Sequence, residues 1–385
     1  MRLLFIIFIC FSSSCLYSTD FSSIDSLINS GIKNKYYPGA QLLIGNNEKV
    51  LYEKCYGKFS YSDSSDTVDF ETLYDLASLT KVIVTTTAIM ILYENGRINL
   101  DDKVIEYIPE FNNNNKDGIT IKNLLLHNSG LIAWIPFFKT CKTKNDVLNI
   151  IYNQSLESPT GSKFIYSDLN FVLLGIIVER VSGMNLSEFS IKRIFEPLEM
   201  KNSMYNPDKN IIERIPPTEK DNHWRIKQLK GEVHDETAFL LDGISGNAGL
   251  FSNCRDLYKL TKILVNLGKY YGSKFNQPIE LSFIRNDIIE MFTTRFKGLN
   301  YENTRCLGWD SKPKPTNFPS PCGDLISENC FGHTGYTGTS IWSDKDRNII
   351  VIFLTNRIYP SRNNDGIKYI RPDLHNKIIS ILSQN

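Results

Sequence analysis

Strand and helix patterns are segregated along this sequence, and that segregation restricts the folds open to the chain. Residues 41–56 hold two apolar runs on either side of an Asn-Asn pair, which is typical of a β-hairpin. Residues 339–357 form two more strand patterns around a polar turn at 343–348. Helical patterns dominate from residue 100 to about 290, and an amphipathic helix at 373–382 closes the chain. Strands at both ends predict one mixed sheet built from both termini, with a large helical insertion.

The predicted fold class is α/β of the α+β type, with a mixed, mainly antiparallel sheet flanked by helices. We place a leader at residues 1–19 and one domain at residues 20–385. The sheet is expected from about 38–75 and 300–385, and the helical region from about 79–290. A chain of 385 residues with 42% hydrophobic and 22% charged side chains can bury a large core.

The charge balance gives no reason to expect a polyanionic partner. Forty-three basic side chains stand against 42 acidic ones, and the net charge is +1. Proteins that bind nucleic acids usually carry a strongly basic surface. We therefore expect no nucleic-acid partner and look for a substrate that binds in a pocket.

The first fifteen residues have the layout of an export signal. One basic residue precedes an apolar run at 3–11, which is too short to span a bilayer, and small residues follow it. Cys15 follows three serines, an arrangement that resembles a bacterial lipoprotein site and would anchor the protein to a membrane. Ordinary signal peptidase cleavage and a buried first strand or helix are the alternatives. We expect an exported protein of the periplasm or cell envelope.

The cysteines and histidines do not show metal-binding spacing. No C-x-x-C pair and no H-E-x-x-H motif occurs, so we expect no metal and no cofactor. Isolated buried thiols are favoured over disulfides in a chain of this size. The cysteines after the leader are Cys55, Cys141, Cys254, Cys306, Cys322 and Cys330.

The segment DLASLTKV, residues 75–82, opens a long apolar helix that ends near Gly96. Ser78 lies at its first turn, where free backbone N–H groups and the helix dipole favour an oxyanion. Lys81 lies one turn further on the same face. Apolar surroundings are expected to lower the pKa of Lys81 from about 10.4 and so to provide a neutral amine as base. Alternatively, Ser78 only caps the helix and Lys81 extends to solvent.

Two other S-x-x-K matches lack this setting. Ser30 is followed by glycine, and Ser311 lies in SKPKP, where the prolines exclude a helix. Ser78 is therefore the candidate nucleophile.

DLASLTKV resembles the active-site segment of the serine β-lactamase and penicillin-binding protein superfamily. A Tyr-Ser-Asp at 166–168 is similar to the Tyr-x-Asn element of class C β-lactamases and D-alanyl-D-alanine carboxypeptidases. A His-Thr-Gly at 333–335 is similar to the Lys-Thr-Gly strand of the superfamily, in the form found in some carboxypeptidases and esterases. The likeness extends from about residue 25 to about 380 and implies a β-lactamase/transpeptidase-like fold.

The second motif would supply proton transfer. Beside an ammonium, the phenol of Tyr166 could ionise, take the proton of Ser78 and return it to the leaving group. The same tripeptide occurs at 61–63, so its position before a helix carries the assignment. Asp168 replaces the usual asparagine, and it could anchor Lys81 or accept a substrate N–H. That replacement weakens the case for β-lactam hydrolysis.

The third motif would hold the substrate. His333 replaces a permanent cation with a group that titrates near neutrality, unless it is simply paired inside the sheet. Thr334 offers a hydroxyl, and Gly335 lets substrate lie against an exposed strand edge. The resemblance assigns the oxyanion hole to the backbone N–H groups of Ser78 and Tyr336.

Softer candidates lie outside these motifs. The polar segment 216–236 carries Trp224 and His234, and it forms either a wall of the cleft or a loop that Trp224 packs. His127 and Ser129, in LLLHNSGL, are interpreted as turn residues.

The resemblance implies an exported serine hydrolase that forms an acyl-enzyme on a D-alanyl cell-wall peptide or a small ester or amide. A true β-lactamase is the first alternative. A non-catalytic protein that binds cell-wall fragments or self-assembles is the second, and an adhesin anchored through Cys15 is the third. The sequence does not indicate an oligomeric state.

Overall fold

The computed structural model describes residues 19–274, 277–314 and 319–384. The strands are β1 Gly39–Gly45, β2 Val50–Gly57, β3 Tyr74–Asp75, β4 Met204–Tyr205, β5 Glu219–Asp221, β6 Lys227–Leu229, β7 Leu250–Ser252, β8 Lys269–Lys274, β9 Gln277–Ser282, β10 Cys330–Thr334, β11 Ser340–Asp344 and β12 Ile349–Thr355. The α-helices are α1 Ser22–Lys33, α2 Thr87–Glu94, α3 Val104–Tyr107, α4 Ile121–Leu125, α5 Lys144–Asn153, α6 Asp168–Ser182, α7 Leu186–Ser190, α8 Glu236–Leu240, α9 Cys254–Val265, α10 Asn286–Thr293 and α11 Ile367–Leu382. The π-helical segments are Lys81–Thr86 and Ile191–Phe195, and the 3₁₀ turns are Pro109–Phe111, Phe137–Lys139 and Lys209–Arg214.

A five-stranded sheet in the order β10-β11-β12-β1-β2 organises the protein. Every neighbouring pair in it is antiparallel. The central pair joins the two ends of the chain, with Leu42 opposite Phe353. The predicted hairpin at 41–56, the strand pair around 343–348 and the predicted fold class are therefore confirmed.

Helices cover both faces of this sheet. On β1, Leu42 faces the cluster formed with α1 and α11, whereas Leu43 faces the larger cluster formed with the central helices. Phe353 and Leu354 divide in the same way on β12. Side chains alternate across a strand, so these strands must be apolar at successive positions to be buried on both sides.

The central helix matches the prediction at both ends and differs in the middle. It begins after Ser78, passes through the π-helical segment Lys81–Thr86 and continues as α2. It ends at Glu94 with Asn95 as its C-cap, and Gly96 adopts a φ of 62°, which a glycine adopts without strain. Irregular π turns inside helices often occur at functional sites.

Two further elements differ from the sequence-based expectation. Helix α11 begins at Ile367 rather than at residue 373 and contains Pro372. Its buried face includes Ile367 and Ile370, which extends the apolar pattern upstream of the proline. The region 79–290, expected to be helical, also contains strands β4 to β9. Of these, β7 and β4 join β3 in a three-stranded sheet, in which Asp75 lies opposite Phe251. This small sheet holds the segment that leads to Ser78.

The cysteines after the leader are free thiols, as predicted, and all except the half-buried Cys55 are buried. The predicted leader and Cys15 lie outside the described residues. Within the described ranges, no single helix is long and apolar enough to cross a bilayer. Among the helices that the structure describes, one pair, Asp168–Ser182 and Leu186–Phe195, reaches that length and composition together, and the two helices are bent by 75°.

Candidate active site

A strained turn presents Ser78. One carboxylate oxygen of Asp75 accepts the backbone N–H of Ala77 at 2.8 Å, and the other accepts the backbone N–H of His234 at 2.6 Å. Ala77 has a φ of 46°, an unfavourable value for a residue with a side chain. Ser78 is half-buried and directly precedes the first helical residue. The hydrogen bonds of Asp75 stabilise this turn against its backbone strain.

Lys81 is fully buried and has three acceptors. Its Nζ donates to Ser78 Oγ at 2.9 Å, to Asp168 Oδ1 at 2.7 Å and to the carbonyl of Asn247 at 3.1 Å. The expectation that its pKa is lowered is wrong. Burial lowers the pKa of Lys81, but the charges of Asp168 and Tyr166 outweigh burial and raise it above its usual value. Lys81 is therefore an ammonium whose three protons are all donated.

The structure brings the second motif to Lys81. Asp168 begins α6 and pairs with Lys81, so the anchoring role considered for this aspartate is confirmed. The ring centroid of Tyr166 lies 5.2 Å from Lys81 Nζ. The same ring lies 5.8 Å from the Arg305 guanidinium and 5.9 Å from the His333 ring. Two cations thus face the phenol.

His127 and Ser129 do more than form a turn, and the sequence analysis missed this. His127 is buried, and its Nδ1 accepts the backbone N–H of Ser167 at 3.0 Å, which places the ring proton on Nε2. Its ring lies 4.6 Å from the Tyr166 ring. Ser129 Oγ donates to Asn170 at 2.6 Å. His127 holds the end of the loop that carries Tyr166, and Ser129 is bound to α6. The available signal was a histidine next to the end of an apolar helix.

His333 is neutral, so the expectation that it titrates near neutrality is wrong. Its Nδ1 donates to the carbonyl of Thr334 at 2.8 Å, since a carbonyl can only accept. Burial, followed by the charges of Arg305 and Lys81, holds the pKa of His333 well below its usual value. A permanent cation near His333 is the buried Arg305, which is paired with Asp310. The sequence analysis did not identify Arg305.

Glycine is required at position 335 for a different structural reason from the one expected. A Cβ there would lie 2.4 Å from the carbonyl oxygen of Leu76, so only glycine allows the two segments to approach. Thr337 Oγ1 donates to the carbonyl of Asp75 at 2.6 Å, and Thr339 Oγ1 donates to that of Leu76 at 3.0 Å. The turn after β10 is thereby bound to the segment that precedes Ser78.

β10 is an edge strand that is only partly covered. Asp310 bridges Gly332, whereas the half-buried Thr334 lies at the end of the strand opposite Ser340. Across the described ranges, neither the backbone N–H of Ser78 nor that of Tyr336 donates to a protein acceptor. Two free donors lie on two segments that are bound together, as an oxyanion hole requires.

The segment 216–236 contributes to both expected roles. His234 Nε2 donates to Glu219 at 2.8 Å, and its ring stacks on Tyr336 with centroids 5.7 Å apart. Trp224 instead packs between Phe138 and Phe239. His234 therefore lines the site, whereas Trp224 packs the loop.

A family model described as beta-lactamase matches residues 24–373. The chain belongs to the beta-lactamase family. This beta-lactamase family member is 33% identical over 353 residues to a protein of Escherichia coli strain K12, with 83% of this chain and 79% of the relative covered. The name of that relative provisionally assigns it as a D-alanyl-D-alanine carboxypeptidase. The N-acetylmuramyl-L-alanine amidase of Bacillus subtilis strain 168 is 30% identical over 356 residues, with 83% and 77% covered.

A solved structure agrees with this assignment. The octameric penicillin-binding protein homologue from Pyrococcus abyssi has a TM-score of 0.71 at 22% identity, with 94% of this chain and 78% of that chain covered. The resemblance to the serine β-lactamase and penicillin-binding protein superfamily is confirmed. The family and the names of its relatives indicate a hydrolase of this fold.

Replacing Asp168 by asparagine is expected to change how stability depends on pH. In the unchanged protein the folded-state pKa of Lys81 lies above the unfolded value of about 10.4. The contribution of Lys81 to stability is therefore fully present at every pH below that unfolded value. In Asp168→Asn the charge that opposes the effect of burial is gone, so the folded-state pKa of Lys81 should fall below its unfolded value. The free energy of unfolding of the variant should be about 3–5 kcal/mol lower than that of the unchanged protein at pH 7. This difference should shrink as the pH rises toward about 10.

Urea unfolding at several pH values between about 6 and 9.5 measures this difference. Glu110→Gln is the matched control, because Glu110 pairs with Arg180 at the surface and its side chain is 53% exposed. Its effect should be small and independent of pH over this range. If the loss of unfolding free energy in Asp168→Asn were equally independent of pH, that result would contradict the assigned charge of Lys81.

Proposed function

We propose that the protein is an exported serine hydrolase that forms and hydrolyses an acyl-enzyme on a D-alanyl cell-wall peptide or a small ester or amide. One observation carries the proposal: Ser78 Oγ lies 2.9 Å from the ammonium of Lys81, which is itself fixed by Asp168. A serine with this partner, next to a tyrosine that faces two cations, has the groups that acyl transfer requires.

In acylation the reacting form of Tyr166 is the phenolate, and Ser78 Oγ attacks the substrate carbonyl while its proton passes to the phenolate oxygen. Lys81 does not take this proton, because it is already an ammonium, and it donates to Ser78, Asp168 and the carbonyl of Asn247. It instead holds Ser78 Oγ in place and stabilises negative charge near Tyr166. The Arg305 guanidinium adds a second positive charge beside the phenol. Tyr166 is therefore the general base in this mechanism, and Lys81 is its electrostatic support.

The tetrahedral intermediate places a negative charge on the former carbonyl oxygen. The backbone N–H groups of Ser78 and Tyr336 would donate to that oxygen. When the intermediate collapses, Tyr166 returns the proton to the leaving amine or alcohol, and the ester of Ser78 remains. In deacylation, water attacks this ester and gives a proton to Tyr166, which passes it to Ser78 as the acid product departs.

The substrate class rests on the relatives and on Asp168. The Escherichia coli and Bacillus subtilis relatives are named as enzymes that cleave amide bonds, a carboxypeptidase and an amidase. Asp168 has no amide donor of the kind that an asparagine would direct at a β-lactam carbonyl, and its Oδ1 accepts from Lys81. A peptide or small ester is therefore favoured over a β-lactam as the substrate that turns over.

Mass spectrometry of the intact protein tests attack and release together. We expect incubation with a p-nitrophenyl ester, a D-Ala-D-Ala peptide or a penicillin to add the acyl mass with at least one of the three. Ser78→Ala should abolish the adduct. Ser30→Ala is the matched control, because Ser30 also fits S-x-x-K but donates its hydroxyl to Leu27 within α1, and this variant should keep the adduct.

The alternatives give different results in the same experiment. An adduct that forms with penicillin and disappears faster than the ester adduct would favour a true β-lactamase. The absence of any adduct would favour a non-catalytic binding protein. An adduct that persists in Ser78→Ala would remove Ser78 as the nucleophile.

Export is a separate part of the proposal and rests on the sequence of residues 1–15 alone. We expect the chain, produced in a bacterial host with an outer membrane, to reach the envelope and to lose its first residues. Deleting residues 3–11 should retain it in the cytosol. Labelled palmitate in the unchanged protein but not in Cys15→Ser would show lipidation at Cys15. Finding the unprocessed full-length mass in the cytosol would contradict export.

A further inference from the structure

A buried arginine lies directly behind the proposed oxyanion hole. Arg371 belongs to α11, and its Nη2 donates to the carbonyl of Thr339 at 2.7 Å and to that of Gly335 at 3.3 Å. Its Nε is buried and has no partner among the described residues. The mechanism described above does not use this side chain.

Arg371 is an uncompensated cation. Within the described part of the chain, no carboxylate forms a salt bridge with it. Burial, together with the charge of Arg357, lowers the pKa of Arg371 to about 9, so the guanidinium is still charged at neutral pH. Burial, followed by the charge of Arg371, lowers the pKa of the neighbouring His375 to about 3, so this histidine is neutral. A buried charge without a counterion is costly, and a neutral residue could fill this space more cheaply.

One of the two carbonyls that Arg371 contacts, that of Gly335, also accepts the backbone N–H of Gly338 at 3.1 Å and belongs to the peptide group that precedes Tyr336. The carbonyl of Gly335 and the N–H of Tyr336 are the two ends of one peptide bond. A cationic donor on the oxygen withdraws electron density from the peptide and makes its N–H a stronger donor, since hydrogen bonds in a chain polarise one another. That N–H is the one that has no protein acceptor in the described residues.

We propose that Arg371 is a positioning residue that polarises the Gly335–Tyr336 peptide and thereby strengthens the oxyanion hole. The inference rests on the proposed function, because it assumes that the Tyr336 N–H faces the developing oxyanion. Its hydrogen bond to Thr339 also holds the turn, because the same carbonyl accepts the N–H of Gly335 at 2.7 Å. The experiment must therefore separate charge from support of the turn.

Arg357 is a suitable matched control. It is also buried, and its Nε donates to the carbonyl of Tyr336 at 2.9 Å. That carbonyl belongs to the next peptide bond, whose N–H is on Thr337. Arg357 therefore supports the same turn without polarising the peptide that carries the Tyr336 N–H.

The first measurement is ester hydrolysis by Arg371→Met, Arg371→Lys and Arg357→Met. Removing an oxyanion-hole donor costs about 10²–10³ in kcat, and weakening one should cost less. We expect kcat and kcat/KM of Arg371→Met to fall together by about tenfold, as for an interaction made only in the transition state. Arg371→Lys, which keeps the charge, should recover part of this loss. If Arg371→Met does not fold, Arg371→Gln replaces it.

The second measurement needs no turnover. In the protein with ¹⁵N-labelled tyrosine, the amide proton of Tyr336 should move upfield in Arg371→Met, partly return in Arg371→Lys and move less in Arg357→Met. An unchanged chemical shift of the Tyr336 amide proton in Arg371→Met would overturn the inference. Equal losses of activity in Arg371→Met and Arg357→Met would also overturn it. If no ester is hydrolysed by any form, the proposed function fails, whereas the amide shift still reports whether Arg371 polarises the peptide.

Discussion

The ion pair between the buried Lys81 and the half-buried Asp168 is the interaction on which the site depends. It joins the helix that follows Ser78 to the start of α6, and a third hydrogen bond ties both to the carbonyl of Asn247. Three distant segments thus meet at one ammonium. Breaking such a pair would leave the buried charge of Lys81 uncompensated. The ion pair therefore fixes both the geometry of the site and the protonation state of Lys81. In the proposed mechanism the role of general base therefore falls to Tyr166.

The second constraint is the contact between the turn of Ser78 and the turn after β10. The hydroxyls of Thr337 and Thr339 bind the carbonyls of Asp75 and Leu76, and Gly335 permits the approach. The two free N–H groups are therefore positioned by the edge of the main sheet and by the strained turn. The substrate does not have to order them, and preorganised donors of this kind are the most effective in stabilising an oxyanion.

The sequence predicted the parts of the structure that depend on local pattern. Alternating apolar runs gave the hairpin and the strand pair, and the setting of Ser78 within its helix distinguished it from Ser30 and Ser311. Prediction from the sequence was wrong where the pKa of a side chain depends on contacts with distant segments. The pKa of Lys81 is raised by Asp168, which lies 87 positions away in the sequence. His333 is neutral because it is buried beside Arg305, and no local pattern indicates that position.

The protonation state of Lys81 in the resting protein tests this account most directly. The Cε–Hε resonances of ¹³C-labelled lysines, with Lys81 assigned by its absence in Lys81→Arg, report titration of that ammonium. The account predicts that Lys81 stays charged throughout the range in which the protein is folded, up to at least about pH 10. Titration of this resonance between about pH 6 and 8 would contradict it, because a neutral amine at Ser78 would then be the base.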